Sequence, residues 1–250
     1  MPLNREKIEK NMINPVTIRT FSVIGSTNDE AKRRAAEDVG AVLYAADSQT
    51  SGRGRRGHSF YSPPTGLYMT LSLPIEGDSA DVQRLTVAAA VAVCDALAAC
   101  GGLKPSVKWV NDVYLEGKKV AGILAELVTD ALNRPSRVIV GIGVNLTTAA
   151  FPAEFAARAG SAGDIEPSLL CAAITDGLIG MYAHLDDPAV IERYKALNFV
   201  IGRQITYTDR DGEHTATAAD IAPDGSLIVD ENGKKISLHS GEISVNASLW

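Results

Sequence analysis

The chain has 250 residues, 46% of them apolar, and a formal net charge of −6. That length holds one large domain or a large one with a small one. The acidic balance argues against nucleic acid or an anionic membrane as the main partner. The first residues, Met1-Pro2-Leu3-Asn4-Arg5-Glu6-Lys7, lack the apolar run of a secretory signal.

In chain order, residues 17–23 alternate as a strand, and Ser26-Thr27-Asn28-Asp29-Glu30 opens a helix predicted over 29–37. Thr27 with Glu30 reads as a capping box; the same polar run also suits a ligand pocket, and both readings stay open. Residues 41–46 form a strand, and 66–73 and 106–110 are strands flanking an Ala-rich helix that Gly101-Gly102 ends. That helix is broken by Asp95 and reads as buried; no apolar run reaches membrane-spanning length. Residues 113–115 and 119–127 pair across Glu116-Gly117, 137–146 is a further strand, and helices follow over 168–185 and from Pro188 to about 197. Beyond residue 202 come three turn pairs, Asp211-Gly212, Asp224-Gly225 and Asn232-Gly233, between short strands, the pattern of a small antiparallel barrel. Cys94, Cys100 and Cys171 have no metal-ligand spacing; they read as small core residues of a protein in a reducing cytosol.

The segment richest in chemistry is Gly52-Arg53-Gly54-Arg55-Arg56-Gly57. Arginine matches carboxylate and phosphate oxygens with a fixed fork of donors, and three guanidinium groups so close repel one another unless an anion sits among them. The string fits the glycine pattern of a dinucleotide site, which needs a helix opening at its third glycine. His58-Ser59-Phe60-Tyr61-Ser62-Pro63-Pro64 cannot open one. A solvated basic loop is the bland alternative, and a pI near 5.3 disfavours RNA binding.

A second cluster is Lys108-Trp109-Val110-Asn111-Asp112, followed by Lys118-Lys119-Val120-Ala121-Gly122-Ile123-Leu124. Alone, the paired lysines read as a solvated strand end. Together with Ser26-Thr27-Asn28, Gln49 and the Arg-Gly loop, in this order and spacing, they make the chain resemble the biotin–protein ligases from about Val16 onward. The resemblance implies an α+β catalytic domain over residues 1–198, a mixed sheet flanked by helices and class II synthetase-like. It also implies a small C-terminal SH3-like β-barrel over 199–250.

The activity implied is a two-step ligation forming a C–N bond in the cytoplasm. Biotin is activated with Mg·ATP to biotinyl-5′-AMP, then passed to a lysine of a biotin carboxyl carrier domain, as in acetyl-CoA carboxylase. Two anions must be brought together, so fixed positive charge is needed and no protein nucleophile is. By the resemblance, Ser26, Thr27, Asn28 and Gln49 hold the ureido ring of biotin. Gly52, Arg53, Gly54 and Arg55 wrap its carboxylate and the adenylate phosphate. Lys119 reaches the reacting oxygens, making Arg53, Arg55 and Lys119 the catalytic set. Gly122 and Ile123 line the biotin tail, while Arg56, Phe60, Asn111 and Asn145 lie on the nucleotide side. Asp112 either places Mg²⁺ or orients Arg55.

About 15 residues precede the resembling region, so the N-terminal helix-turn-helix of ligase-repressors is not expected, nor is DNA as a partner. A homodimer is compatible with the sequence. One rival is a lipoate–protein ligase, whose arginine- and glycine-rich motif ending in His-Asp is missing. The other is a non-catalytic biotin-binding regulator, which would not keep Arg53, Arg55 and Lys119.

Overall fold

Among the described residues, seven strands interleave with six α-helices up to residue 197. The computed structural model describes residues 2–75, 81–209, 212–239 and 241–245. Asp211 of the first turn pair and the end of the C-terminal range, 246–250, lie outside them. A short helix α1 (Arg5–Lys10) precedes β1 (Thr17–Ile24), α2 (Thr27–Arg34), β2 (Val42–Gln49), β3 (Gly66–Pro74) and α3 (Val82–Gly101). Then come β4 (Ser106–Lys108), β5 (Asp112–Leu115), β6 (Lys118–Thr129) and β7 (Pro135–Asn145). Three helices, α4 (Ala153–Ala156), α5 (Pro167–Tyr182) and α6 (Pro188–Leu197), lead into β8 (Gln204–Thr208), β9 (Glu213–Ile221), β10 (Leu227–Glu231), β11 (Lys234–Leu238) and β12 (Ile243–Val245).

The first seven strands form one mixed sheet in the order β1-β2-β3-β7-β6-β5-β4. β1 and β2 run parallel and the other neighbours antiparallel. Along β3, Leu67, Met69, Leu71 and Leu73 join the main core, as do Val138, Val140, Ile142 and Val144 of β7. α3 supplies eleven buried residues to that core. It is apolar and long enough by composition to span a bilayer, yet it lies mostly buried as a core helix. Its first turn, capped by Asp81, is less apolar than the Ala-rich run that follows. Gly102, at φ 64°, ends the helix in the left-handed conformation that glycine adopts without strain.

Behind the opposite face sits a smaller cluster of Ala31, Val42, Tyr44 and Ile139, where α2 packs. Ser26, not Thr27, is the N-cap of α2, its hydroxyl accepting from Asp29 N at 3.4 Å. The capping-box expectation fails because the Thr27 hydroxyl turns inward to Gln49, at 3.0 Å.

The C-terminal strands form an antiparallel sheet in the order β11-β10-β9-β8-β12. Among the described residues β11 and β12 do not pair, so the expected barrel is an open five-stranded sheet. β12 pairs with β8 through Ile243–Val245. Asn232 and Gly233, both at positive φ, make the β10–β11 turn as the sequence implied. The two sheets meet through the buried Trp109, whose indole donates to Gly225 O at 2.9 Å.

Candidate active site

A cavity of about 390 Å³ opens on the sheet face carrying α2. It exists because side chains are missing from its floor. Gly143 lies opposite Tyr68 on β3 and Gly122 on β6, and Gly141 lies opposite Thr70 and Leu124. A Cβ on Gly143 would fall 2.8 Å from Phe60 Cζ, and one on Gly141 would fall 2.7 Å from Asn28 Cγ. Real Cβ atoms essentially never come so close, so these two positions admit their neighbours only as glycine.

One end of the cavity is neutral and polar. Ser26, Thr27 and Asn28, from the start of α2, are buried, and Gln49 ends β2 beside them. Thr27 donates to Gln49 Oε1 from its backbone N–H at 2.9 Å and its hydroxyl at 3.0 Å. Gln49 Nε2 donates to Ser62 Oγ at 3.0 Å, which donates to Phe60 O at 2.8 Å. Thr70 Oγ donates to Asn28 Oδ1 at 2.6 Å, and Asn28 Nδ2 donates to Glu126 Oε2 at 2.9 Å.

The Arg-Gly loop folds over this floor as a small hairpin. Arg53 bridges to Ser59, Gly54 N donates to His58 O at 2.7 Å, and Gly52 O accepts from Phe60 N at 2.9 Å. Arg53 pairs with Asp29 of α2 at 2.8 Å. Arg55 turns inward and donates to Asn111 Oδ1 at 3.0 Å, while Arg56 sits exposed at φ 53°. The three arginines thus fan apart, separated by protein partners instead of clustering about one anion. Burial is the main cause holding the Arg55 guanidinium below its usual pKa, with the charge of Arg56 next. A partly buried cation whose hydrogen bond, among the described residues, goes to a neutral amide is an attractor for an anion.

The other end is cationic. In the hairpin after β4, Lys108 pairs in register with Asp112, and Lys119 Nζ lies 2.6 Å from Asp112 Oδ1. This is an ion pair not aligned as a hydrogen bond, so the buried Oδ1 lacks one. Burial also pushes the Lys108 amine down, opposed by the charge of Asp112. It is Asn111, not Asp112, that orients Arg55; Asn111 is itself fixed by donating to Ile123 O at 3.0 Å.

Of the residues picked from the sequence, Ser26, Thr27, Asn28, Gln49, Arg53, Gly54, Arg55, Phe60, Asn111, Asp112, Lys119, Gly122, Ile123 and Asn145 all line this cavity. Gly52 and Arg56 do not. Gly52 packs against the chain at Phe60 and Ser62, and Arg56 points to solvent. Asn145 donates to Gly160 O at 3.0 Å, holding the segment that follows β7. The sequence reading missed Phe151, Phe155 and Arg158 from that segment and Glu242 from the loop before β12. It quoted Lys108 without placing it in the site. The spacing of Phe151 and Phe155, one helical turn apart, was the available signal.

Known proteins resemble this chain in sequence and in fold. A profile described as the biotin/lipoate A/B protein ligase family matches residues 20–145, half of the chain. A second, described as the biotin protein ligase C terminal domain, matches 200–245. The bifunctional ligase/repressor BirA of Bacillus spizizenii is 37% identical over 126 residues, covering 50% of this chain and 38% of that protein. A biotin–[acetyl-CoA-carboxylase] ligase of Paracoccus denitrificans is 38% identical over 165 residues, covering 65% of this chain and 63% of that one. The match therefore spans less than two thirds of either relative's length. The biotin protein ligase from Aquifex aeolicus, solved in complex with biotin and ATP, has the same fold. Its TM-score is 0.77 at 24% identity, covering 92% of this chain and 98% of that one. This chain belongs to the biotin/lipoate A/B protein ligase family, and it carries the C-terminal domain of the biotin protein ligases.

Proposed function

We propose that the protein is a biotin–protein ligase. A carboxylate oxygen of biotin attacks the α-phosphorus of ATP and expels pyrophosphate. A lysine amine of a biotin carboxyl carrier domain then attacks the acyl carbon of biotinyl-5′-AMP, and AMP leaves. One observation carries this reading: a single cavity with a neutral hydrogen-bonding end at Thr27, Asn28 and Gln49 and a cationic end at Arg55, Lys108 and Lys119. The first suits the ureido ring and the second suits a carboxylate meeting a polyphosphate.

Lys119 and Arg55 neutralise the two anions as they approach, and Arg53 anchors the covering loop to α2 through Asp29. No cysteine lines the cavity, which accords with direct transfer from a mixed anhydride. No group of three His, Cys, Asp or Glu among the described residues is arranged to hold a metal. Mg²⁺ needs few protein ligands when phosphates supply the rest, and Asp112, a carboxylate of the cavity held in an ion pair with Lys119, would supply one of them. Bound there with ATP, it would help neutralise the leaving pyrophosphate.

The Aquifex aeolicus relative was solved with biotin and ATP, and the Paracoccus denitrificans relative is named for acetyl-CoA carboxylase as acceptor. A lipoate ligase would have no use for the neutral donors and acceptors around Asn28, and a mere sensor would have none for the cations. Pyrophosphate exchange into ATP tests the reading. Exchange is expected with biotin and not with lipoate, and the reverse preference overturns it.

A further inference from the structure

We propose that Glu126 is a positioning residue for biotin recognition: it fixes which way the Asn28 amide faces and so sets the hydrogen-bond pattern offered to a cyclic urea. The proposal rests on the biotin reading above. Neither Glu126 nor Thr70 lines the cavity, so both act through Asn28.

Asn28 is 5% exposed and is gripped on both sides, by Glu126 Oε2 at 2.9 Å and Thr70 Oγ at 2.6 Å. An ionised carboxylate only accepts hydrogen bonds, whereas a hydroxyl donates or accepts. Thr70 has one proton, with Thr27 Oγ also in reach at 2.7 Å, so by itself it serves either orientation of the amide. Glu126 allows one, with the nitrogen toward itself. Its other oxygen is held by Lys32 Nζ at 2.6 Å, which keeps the carboxylate in place. Strand register delivers this clamp. Leu124 and Glu126 fall on one face of β6, Leu124 pairs with Gly141, and Thr70 pairs with Gly141 from the other side. Asn28 lies in the space that the absent Gly141 side chain leaves.

Counting what is left defines the ligand. Gln49 Oε1 already receives two bonds from Thr27 and Nε2 gives one to Ser62, so one N–H remains. Asn28 keeps one N–H and one lone pair beyond its bonds to Glu126 and Thr70. A cyclic urea has a carbonyl oxygen that can take both of these N–H groups and two N–H donors, one of which the Asn28 lone pair takes. A dithiolane has neither and would strand these groups, a buried-polar penalty that yields strong discrimination. Flipping Asn28 exchanges its remaining donor and acceptor and spoils the match.

The test measures KM for biotin, KM for ATP and kcat in pyrophosphate exchange. Glu126→Ala is expected to raise KM for biotin about tenfold, as for loss of a buried charged hydrogen-bond partner, while KM for ATP and kcat stay within about twofold. Lys32→Met, which keeps the bond to Asn28, is expected to stay within about threefold, as for a half-buried ion pair whose loss leaves the carboxylate partly in water. Asn28→Asp sets two carboxylates face to face and should be worse than Glu126→Ala. Adding Glu126→Gln to Asn28→Asp should recover part of the loss, because the glutamine amide donates to the new carboxylate. That pair leaves no void, so it decides the matter even if Glu126→Ala folds poorly.

An unchanged KM for biotin in Glu126→Ala, equal damage to all three parameters, or no recovery in the double variant overturns the proposal. Absence of biotin-dependent exchange in the unaltered protein overturns the biotin reading instead.

Discussion

Lys119 Nζ and Asp112 Oδ1 sit 2.6 Å apart on adjacent strands, a cation and an anion facing the same cavity. A lysine tied to a carboxylate keeps its charge at a fixed place, which is what a reaction between two anions requires. Lys119→Ala should leave biotin binding largely intact and slow adenylate formation by about 10²–10³, the usual effect of losing one preorganised donor. Single-turnover quench experiments measure this, and wild-type adenylation by the variant would contradict the role.

The Arg-Gly loop is the second place where the structure commits itself. Only Arg53 of its three arginines has a carboxylate partner among the described residues, and Arg56 adopts a φ of 53° that non-glycine residues rarely take. Such a loop should tighten when an anion arrives. Amide hydrogen exchange over residues 52–58 is expected to slow when biotinyl-AMP binds. Equal protection in free and bound protein would count against it.

If the closed loop is also the lid, Arg55→Ala should let activated biotin escape, since a mixed anhydride survives only where water is kept out. The variant, given biotin, Mg·ATP and an unrelated lysine-rich protein, is expected to label that bystander more than wild type does. A variant that makes adenylate without extra bystander labelling shows that the lid lies elsewhere.

Much of this site was legible in the sequence because its reactive residues cluster in short motifs. Ser26-Thr27-Asn28, Arg53-Gly54-Arg55 and Asn111-Asp112 each stay together on one turn or loop, and folding brings them to the same cavity. What stayed hidden depends on strand register. Thr70, Glu126 and Gly141 are far apart in the chain and meet Asn28 only because β3, β7 and β6 pair as they do. Gly141 and Gly143 stand two apart on one strand, hence on one face, which is the signal that a floor was being cleared. Likewise the capping expectation picked Thr27 over Ser26, since nothing local reveals that Gln49 captures the Thr27 hydroxyl. The C-terminal turns were readable from Asn232-Gly233, but the closure of a barrel was not, because closure rests on pairing between distant strands.

The glycine floor makes its own prediction. Gly141→Ala places a methyl group 2.7 Å from Asn28 Cγ, and Asn28 must leave its clamp. KM for biotin should rise by about tenfold or more, the cost of disturbing a buried hydrogen bond, and the melting temperature should fall by a few degrees. A calorimetric biotin affinity equal to wild type would refute this.

The cysteines test the core. Burial raises all three thiols, those of Cys94 and Cys171 to about 12, but of the three only Cys100 is exposed. A raised thiol pKa lowers the thiolate fraction at pH 8, so the native protein should show one readily reactive thiol, and Cys100→Ser should remove it. Three fast thiols in the native state would mean that α3 and α5 are not packed as described.

The most direct measurement of the central claim is native mass spectrometry of the protein after incubation with biotin and Mg·ATP, with no acceptor present. The account predicts one biotinyl-5′-AMP retained per chain, released as AMP and a biotinylated lysine when a carrier domain is added. Protein that holds biotin and ATP without joining them, or that joins lipoate in place of biotin, would contradict it.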